Sequence, residues 1–120
     1  MMVFRRSIVL LFVLVGFLGA YPAPASFTLP PSGICDLFGY IYLEEGNRPV
    51  DYTFYVEESE FSADLVVFWE ENRLYADASG HWHETQDSFE AHHILKQVSS
   101  PNKADFIVYF TEYEHRAGCP

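Results

Sequence analysis

The phrase ADLVVFWEENRLY at 63–75 returns near the C-terminus as ADFIVYFTEYEHR at 104–116. Self-similarity of this kind restricts a chain to architectures assembled from one repeated unit. Segment 37–116 divides into six units beginning at Leu37, Val50, Ala63, Ala76, Phe89 and Ala104, with a period of 13 residues and a two-residue insertion placed at Ser100-Pro101. The units at Val50, Ala63 and Ala104 are clear copies; the other three are degenerate. Odd positions of a unit are mostly apolar (Ala63, Leu65, Val67, Trp69), and positions four and six are β-branched or aromatic (Val66, Phe68, Ile107, Tyr109). This alternation predicts a strand of about six to eight residues and a polar turn of about five. The odd face is then core and the even face an aromatic outer surface.

Two architectures place one strand in every unit. A β-solenoid winds one coil per repeat, but coils this small leave little room for Trp69, Trp82, Phe106 and Phe110. An antiparallel meander needs only hairpin-length turns. Cys35 and Cys119 flank the repeats, and an even cysteine count in a small exported chain implies a disulfide. Six strands about 4.8 Å apart span roughly 24 Å when flat, whereas a disulfide needs α-carbons within about 7 Å. Bonding Cys35 to Cys119 therefore curls the array until its ends meet. The expectation is an all-β fold, an antiparallel meander of about six strand–turn repeats curling toward a small barrel, with the β-solenoid as alternative.

Residues 1–25 have the layout of a secretory signal peptide: Arg5-Arg6, the apolar run Ile8–Tyr21, and Ala23-x-Ala25 before Ser26. The run is shorter than the roughly 20 residues a membrane span requires. The expected organisation is a leader (1–25), an N-terminal lead-in (26–36) and a β-repeat domain (37–120), exported to the periplasm or beyond. No stable membrane anchor is expected after cleavage. Outside the leader, five Lys or Arg face 17 Asp or Glu. That balance excludes a nucleic-acid-binding surface, which needs clustered cations. It fits a soluble surface or a basic protein partner.

Candidate chemistry is concentrated in the degenerate units. His81 and His83 are spaced to share one strand face, and His92 falls on the same even face of the next unit. Imidazoles on adjacent strands can hold zinc, so His81, His83 and His92 are candidate metal ligands, beside the plainer reading of surface histidines. Otherwise no cofactor is expected. In this phase Asp51, Asp64, Asp77, Glu90 and Asp105 recur at the second position. Without a calcium-loop motif they read as charges that solubilise the rims. The chain carries no G-x-S-x-G, phosphate-cradling glycine loop or C-x-x-C pair.

The phrases Ala63–Phe68 and Ala104–Glu112 (ADFIVYFTE), the terminal Arg116–Cys119 (RAGC) and the opening Cys35–Gly39 (CDLFG) resemble a bacterial family. Its members are small exported proteins with tandem A-D-Φ-x-[VI]-Y-F-[TV]-[DE] phrases ending in A-G-C or A-G-W, a domain of unknown function. The resemblance covers about residues 35–119 and implies an exported bacterial protein; it supplies no activity. The functional expectation is a non-enzymatic binding or structural module whose even face presents Tyr42, Tyr55, Phe68 and Tyr109. A His-cluster metal-binding protein is one alternative, and an acidic inhibitor or immunity-type protein for a basic partner is another.

Overall fold

The computed structural model describes residues 33–120; the expected leader and most of the expected lead-in lie outside the described residues. Six strands form: β1 (Gly39–Leu43), β2 (Tyr52–Val56), β3 (Leu65–Trp69), β4 (His81–Glu84), β5 (His93–Gln97) and β6 (Phe106–Phe110). They close into a barrel in the ring order β1-β4-β3-β6-β2-β5. The all-β small barrel anticipated from the repeat is what the chain builds.

The path through that barrel is not the expected meander. Every strand pairing is parallel, and only β3 and β4 are neighbours in both sequence and space. Strand length accounts for the difference. Each strand holds five residues (four in β4), not six to eight, so most connections grow to eight residues. Eight residues reach roughly 26 Å when extended, further than a five-residue strand of about 17 Å. The chain therefore runs back to its starting end before the next strand begins. The solenoid would also have parallel strands, but it would set successive ones side by side. Here β1, β2 and β3 take alternate places around the ring, and β4, β5 and β6 fill the gaps.

The insertion lies elsewhere too. The β3–β4 connection runs over 70–80, the longest in the barrel, whereas the stretch around Ser100-Pro101 has ordinary length. The fourth and fifth units therefore begin at Ala78 and Ala91. Each connection crosses the barrel as a strap hydrogen-bonded to the strand beneath it. The eighth-position N–H donates to a fifth-position carbonyl, as in Glu44 to Leu95 (2.8 Å), Thr85 to Ile41 (2.9 Å) and Thr111 to Val67 (2.8 Å).

Fifth-position residues form the central core layer: Ile41, Phe54, Val67, Trp82, Leu95 and Val108 are each 0% exposed. Every strand is shifted two residues against its neighbour, as in Gly39↔Trp82 and Leu65↔Val108. Stagger and barrel size are linked, and this interior holds Phe54 edge-on to Trp82 at 5.9 Å. Trp69 and Phe110 close one end, 5.5 Å apart. Ile34 of the lead-in and Leu37, which opens the first unit, join the core, and the Leu37 carbonyl accepts the Trp82 indole N–H (3.1 Å). Cys35 and Cys119 are joined, with α-carbons 5.3 Å apart.

Candidate functional site

The straps decide what the outer surface offers. Tyr42, Tyr55, Phe68 and Tyr109 project outward at the sixth position, yet each is only half-exposed. Tyr42 is further covered by Arg48, whose guanidinium lies 5.5 Å from the ring centroid and whose Nη2 donates to the phenol oxygen (3.2 Å). Arg48 also pairs with the buried Glu44 (2.7 Å). The Gly46 N–H holds the Glu44 carboxyl below its ordinary range, with Arg48 assisting against burial.

The fully exposed apolar groups sit at the strap tips instead. Phe61 and Phe89 occupy the same repeat position, and both are 98% exposed. Leu74, Tyr75 and Tyr113 are also exposed on turns. Two ion pairs link these turns sideways. Arg73 bonds Glu90 (3.6 Å), joining the Leu74–Tyr75 turn to the Phe89 turn. Arg116 bonds Glu60 (2.8 Å), joining the Glu114–Arg116 turn to the Phe61 turn. Turn 73–75 packs on β4 and turn 114–116 on β3, while the straps bearing Phe89 and Phe61 are hydrogen-bonded to β1 and β6. Ring order makes these four strands consecutive. The apolar tips thus form one arc over β1, β4, β3 and β6. The tips over β5 and β2 carry Asn47, Arg48, Asn102 and Lys103 instead. Sequence reading passed over Phe61, an apolar residue in an otherwise polar turn, and set Phe89 at the first, core-side position of a unit; with the insertion moved, Phe89 falls in the turn and is exposed.

The three candidate metal histidines take different partners. His81 Nδ1 lies 2.7 Å from Glu70 Oε1, and His83 Nδ1 lies 2.9 Å from the Glu70 carbonyl. His92 Nδ1 accepts the Tyr40 N–H at 2.8 Å. The Tyr40 ring stands between His83 (5.8 Å) and His92 (4.7 Å), so the structure does not bring the three imidazoles to one point. With the insertion moved, it is His83 that shares the position of Tyr42, Tyr55, Phe68 and Tyr109.

The second-position residues also acquire a role. The Asp51 N–H donates to the Ile94 carbonyl (2.7 Å) while Asp51 Oδ2 accepts the Ile94 N–H (2.8 Å). Asp64 repeats this two-bond latch on Ile107, and Asp105 on Thr53. His92 makes it on Tyr40, with an imidazole nitrogen replacing the carboxylate. Asp77 and Glu90, assigned to this ladder from the sequence, fall outside the latch position. Half-buried His93 is held below its ordinary pKa by burial; Asp51 opposes that shift and His92 adds to it.

Among the described residues, no helix is long and apolar enough to cross a membrane. No curated protein and no solved structure matches the chain. A family model, the 7(1) septoil knot domain, matches residues 34–120. The chain belongs to the septoil knot domain family.

Proposed function

We propose that this is a small exported, non-enzymatic binding module that docks a protein partner on its apolar arc. The observation that carries the reading is the pair Phe61 and Phe89, both 98% exposed on hydrogen-bonded straps. Apolar groups held rigidly in water on one side of a molecule mark interaction surfaces when they are contiguous. The ion-paired turns supply that contiguity. The cations within the arc, Arg73 and Arg116, are both neutralised by glutamates, while Glu58, Glu71 and Glu112 remain exposed around it. The fitting partner is therefore apolar at its centre and basic at its rim, which also accommodates the inhibitor or immunity-type role. Half-covered Phe68, Tyr42 and Tyr109 lie on strands beneath the arc, and Tyr55 lies on β2 outside it. Export to an oxidising compartment is supported by the leader-like residues 1–25 and by the Cys35–Cys119 bond.

The test uses tag-free protein cross-linked in the fraction to which it is exported. The triple variant Phe61→Ser, Leu74→Ser, Phe89→Ser is compared with Asn47→Ser, Asn102→Ser. The expected result is a partner recovered by wild type and by the Asn variant, weakened by salt, and lost in the triple variant with melting temperature unchanged. Equal recovery by all three proteins would sink the proposal, as would recovery of no partner by wild type.

A further inference from the structure

We propose that Glu70, His81 and Glu114 form a binding site for one divalent transition-metal ion of the zinc class. One ligand atom from each residue lies within 4.8 Å of the other two. The three arrive from separate elements. Glu70 follows β3, His81 opens β4, and Glu114 begins the turn that packs on β3 after β6. The Glu70 side chain is only 5% exposed and that of His81 16%. Among the described residues no Lys or Arg pairs with Glu70 or Glu114. Among the described residues only His81 hydrogen-bonds the Glu70 carboxylate, on Oε1. A largely buried carboxylate beside a second carboxylate, with no cation paired to either, is an arrangement that a divalent ion stabilises.

The donor set selects the ion. One imidazole and two carboxylates suit zinc or manganese, whereas calcium needs six to eight oxygens. Zinc binds nitrogen and oxygen at about 2.0–2.2 Å, so neighbouring donors sit about 3–4 Å apart. His81 and Glu70 start at 2.7 Å, and the exposed Glu114 can rotate to complete the set. A groove lined by Trp69, Glu71, Asn72 and Tyr75 runs along Glu70 and Glu114. It gives entry and leaves room for water ligands. The other units do not repeat this set: the eighth position carries an Arg-paired glutamate (Glu44), Thr85, Val98 or Thr111, and beneath Glu57 the place of His81 is taken by Ile107.

The test titrates zinc, manganese and calcium into tag-free protein with its disulfide intact, read by calorimetry and thermal melting. Cobalt absorption reports the ligand field. Wild type is expected to bind one zinc per chain with a rise in melting temperature, and to ignore calcium. Glu114→Gln should weaken zinc by about tenfold or more while the metal-free melting temperature stays unchanged. His83→Gln should bind like wild type. No zinc binding by wild type would overturn the site. So would undiminished binding by Glu114→Gln, or a loss in His83→Gln equal to that in Glu114→Gln.

Discussion

At the second repeat position, one residue fastens a strap with two hydrogen bonds, and His92 shows what the position requires. An acceptor must face the Tyr40 N–H, and neutral Nδ1 supplies it at 2.8 Å. Gly39 makes room, since a β-carbon there would collide with the His92 ring, and its φ is +108°. Replacing His92 with alanine should cost about 1 kcal/mol, the usual net worth of such a bond. His92→Asp should restore stability by recreating the latch of the other units. Urea unfolding of the three proteins checks this, and equal losses for both variants would refute the latch. His93 predicts a pH effect. Its folded-state pKa lies below the ordinary value near 6.5, so acid favours the unfolded chain. Stability is full above about pH 6.5 and falls as pH drops from there toward the lowered folded value. The third position holds Tyr52, Leu65 and Phe106 in other units. His93→Phe should therefore flatten this part of the stability–pH curve, measured by melting between pH 7.5 and 4.5.

Among the elements, the connections matter more than the strands. A strand in each unit was legible from Leu65–Trp69 and Phe106–Phe110, because the period-two pattern follows directly from the pleat; its length of five residues was not. Strand direction was not legible. It depends on whether the connection is a turn or a strap, and a few residues' error in strand length changes the answer. The β3–β4 connection is where the regular pattern yields. Gly80 lies there at φ +76°, and a β-carbon would run into the Val66 carbonyl and the Gly118 amide. Gly118 in turn forms an antiparallel bridge with Val66, its N–H donating at 2.8 Å and its carbonyl accepting at 2.9 Å. Gly80→Ala should therefore cost about 2–3 kcal/mol, from strain and a displaced C-terminal strap. Chemical denaturation checks the size, and a loss below about 0.5 kcal/mol would contradict this packing.

For the molecule as a whole, nearly every pairing is distant in sequence. Gly39 meets Trp82, Phe54 meets Phe106 and Leu65 meets Val108, so long loops must close before any ladder gains hydrogen bonds. Folding dominated by such contacts proceeds in milliseconds to seconds or slower. Stopped-flow refolding with the disulfide intact should show no sub-millisecond route to native tryptophan fluorescence. The Cys35–Cys119 bond spans 84 residues, and in the chain-entropy model it stabilises the fold by up to about 4.5 kcal/mol. Reduction, or Cys35→Ser with Cys119→Ser, should lower the denaturation midpoint by a corresponding amount. An unchanged midpoint would mean that the straps alone hold the ends.

By itself the sequence determined most of the unit: that odd positions such as Leu65, Val67, Phe106 and Val108 are core, that the units are strands, and that a bond between Cys35 and Cys119 requires closure. These follow from local alternation and from the reach of a disulfide, neither of which depends on what lies across the barrel. Only the tertiary structure decided which strands are neighbours, because similar β units can pair in several orders and both directions with comparable hydrogen bonding. The two surface sites depend on that choice. Interleaving brings Glu114 from after β6 to Glu70 and His81, and it lines up the tips bearing Phe89, Leu74 and Phe61 over adjacent strands. Residues separated by a whole winding of the chain become neighbours only once the winding is known.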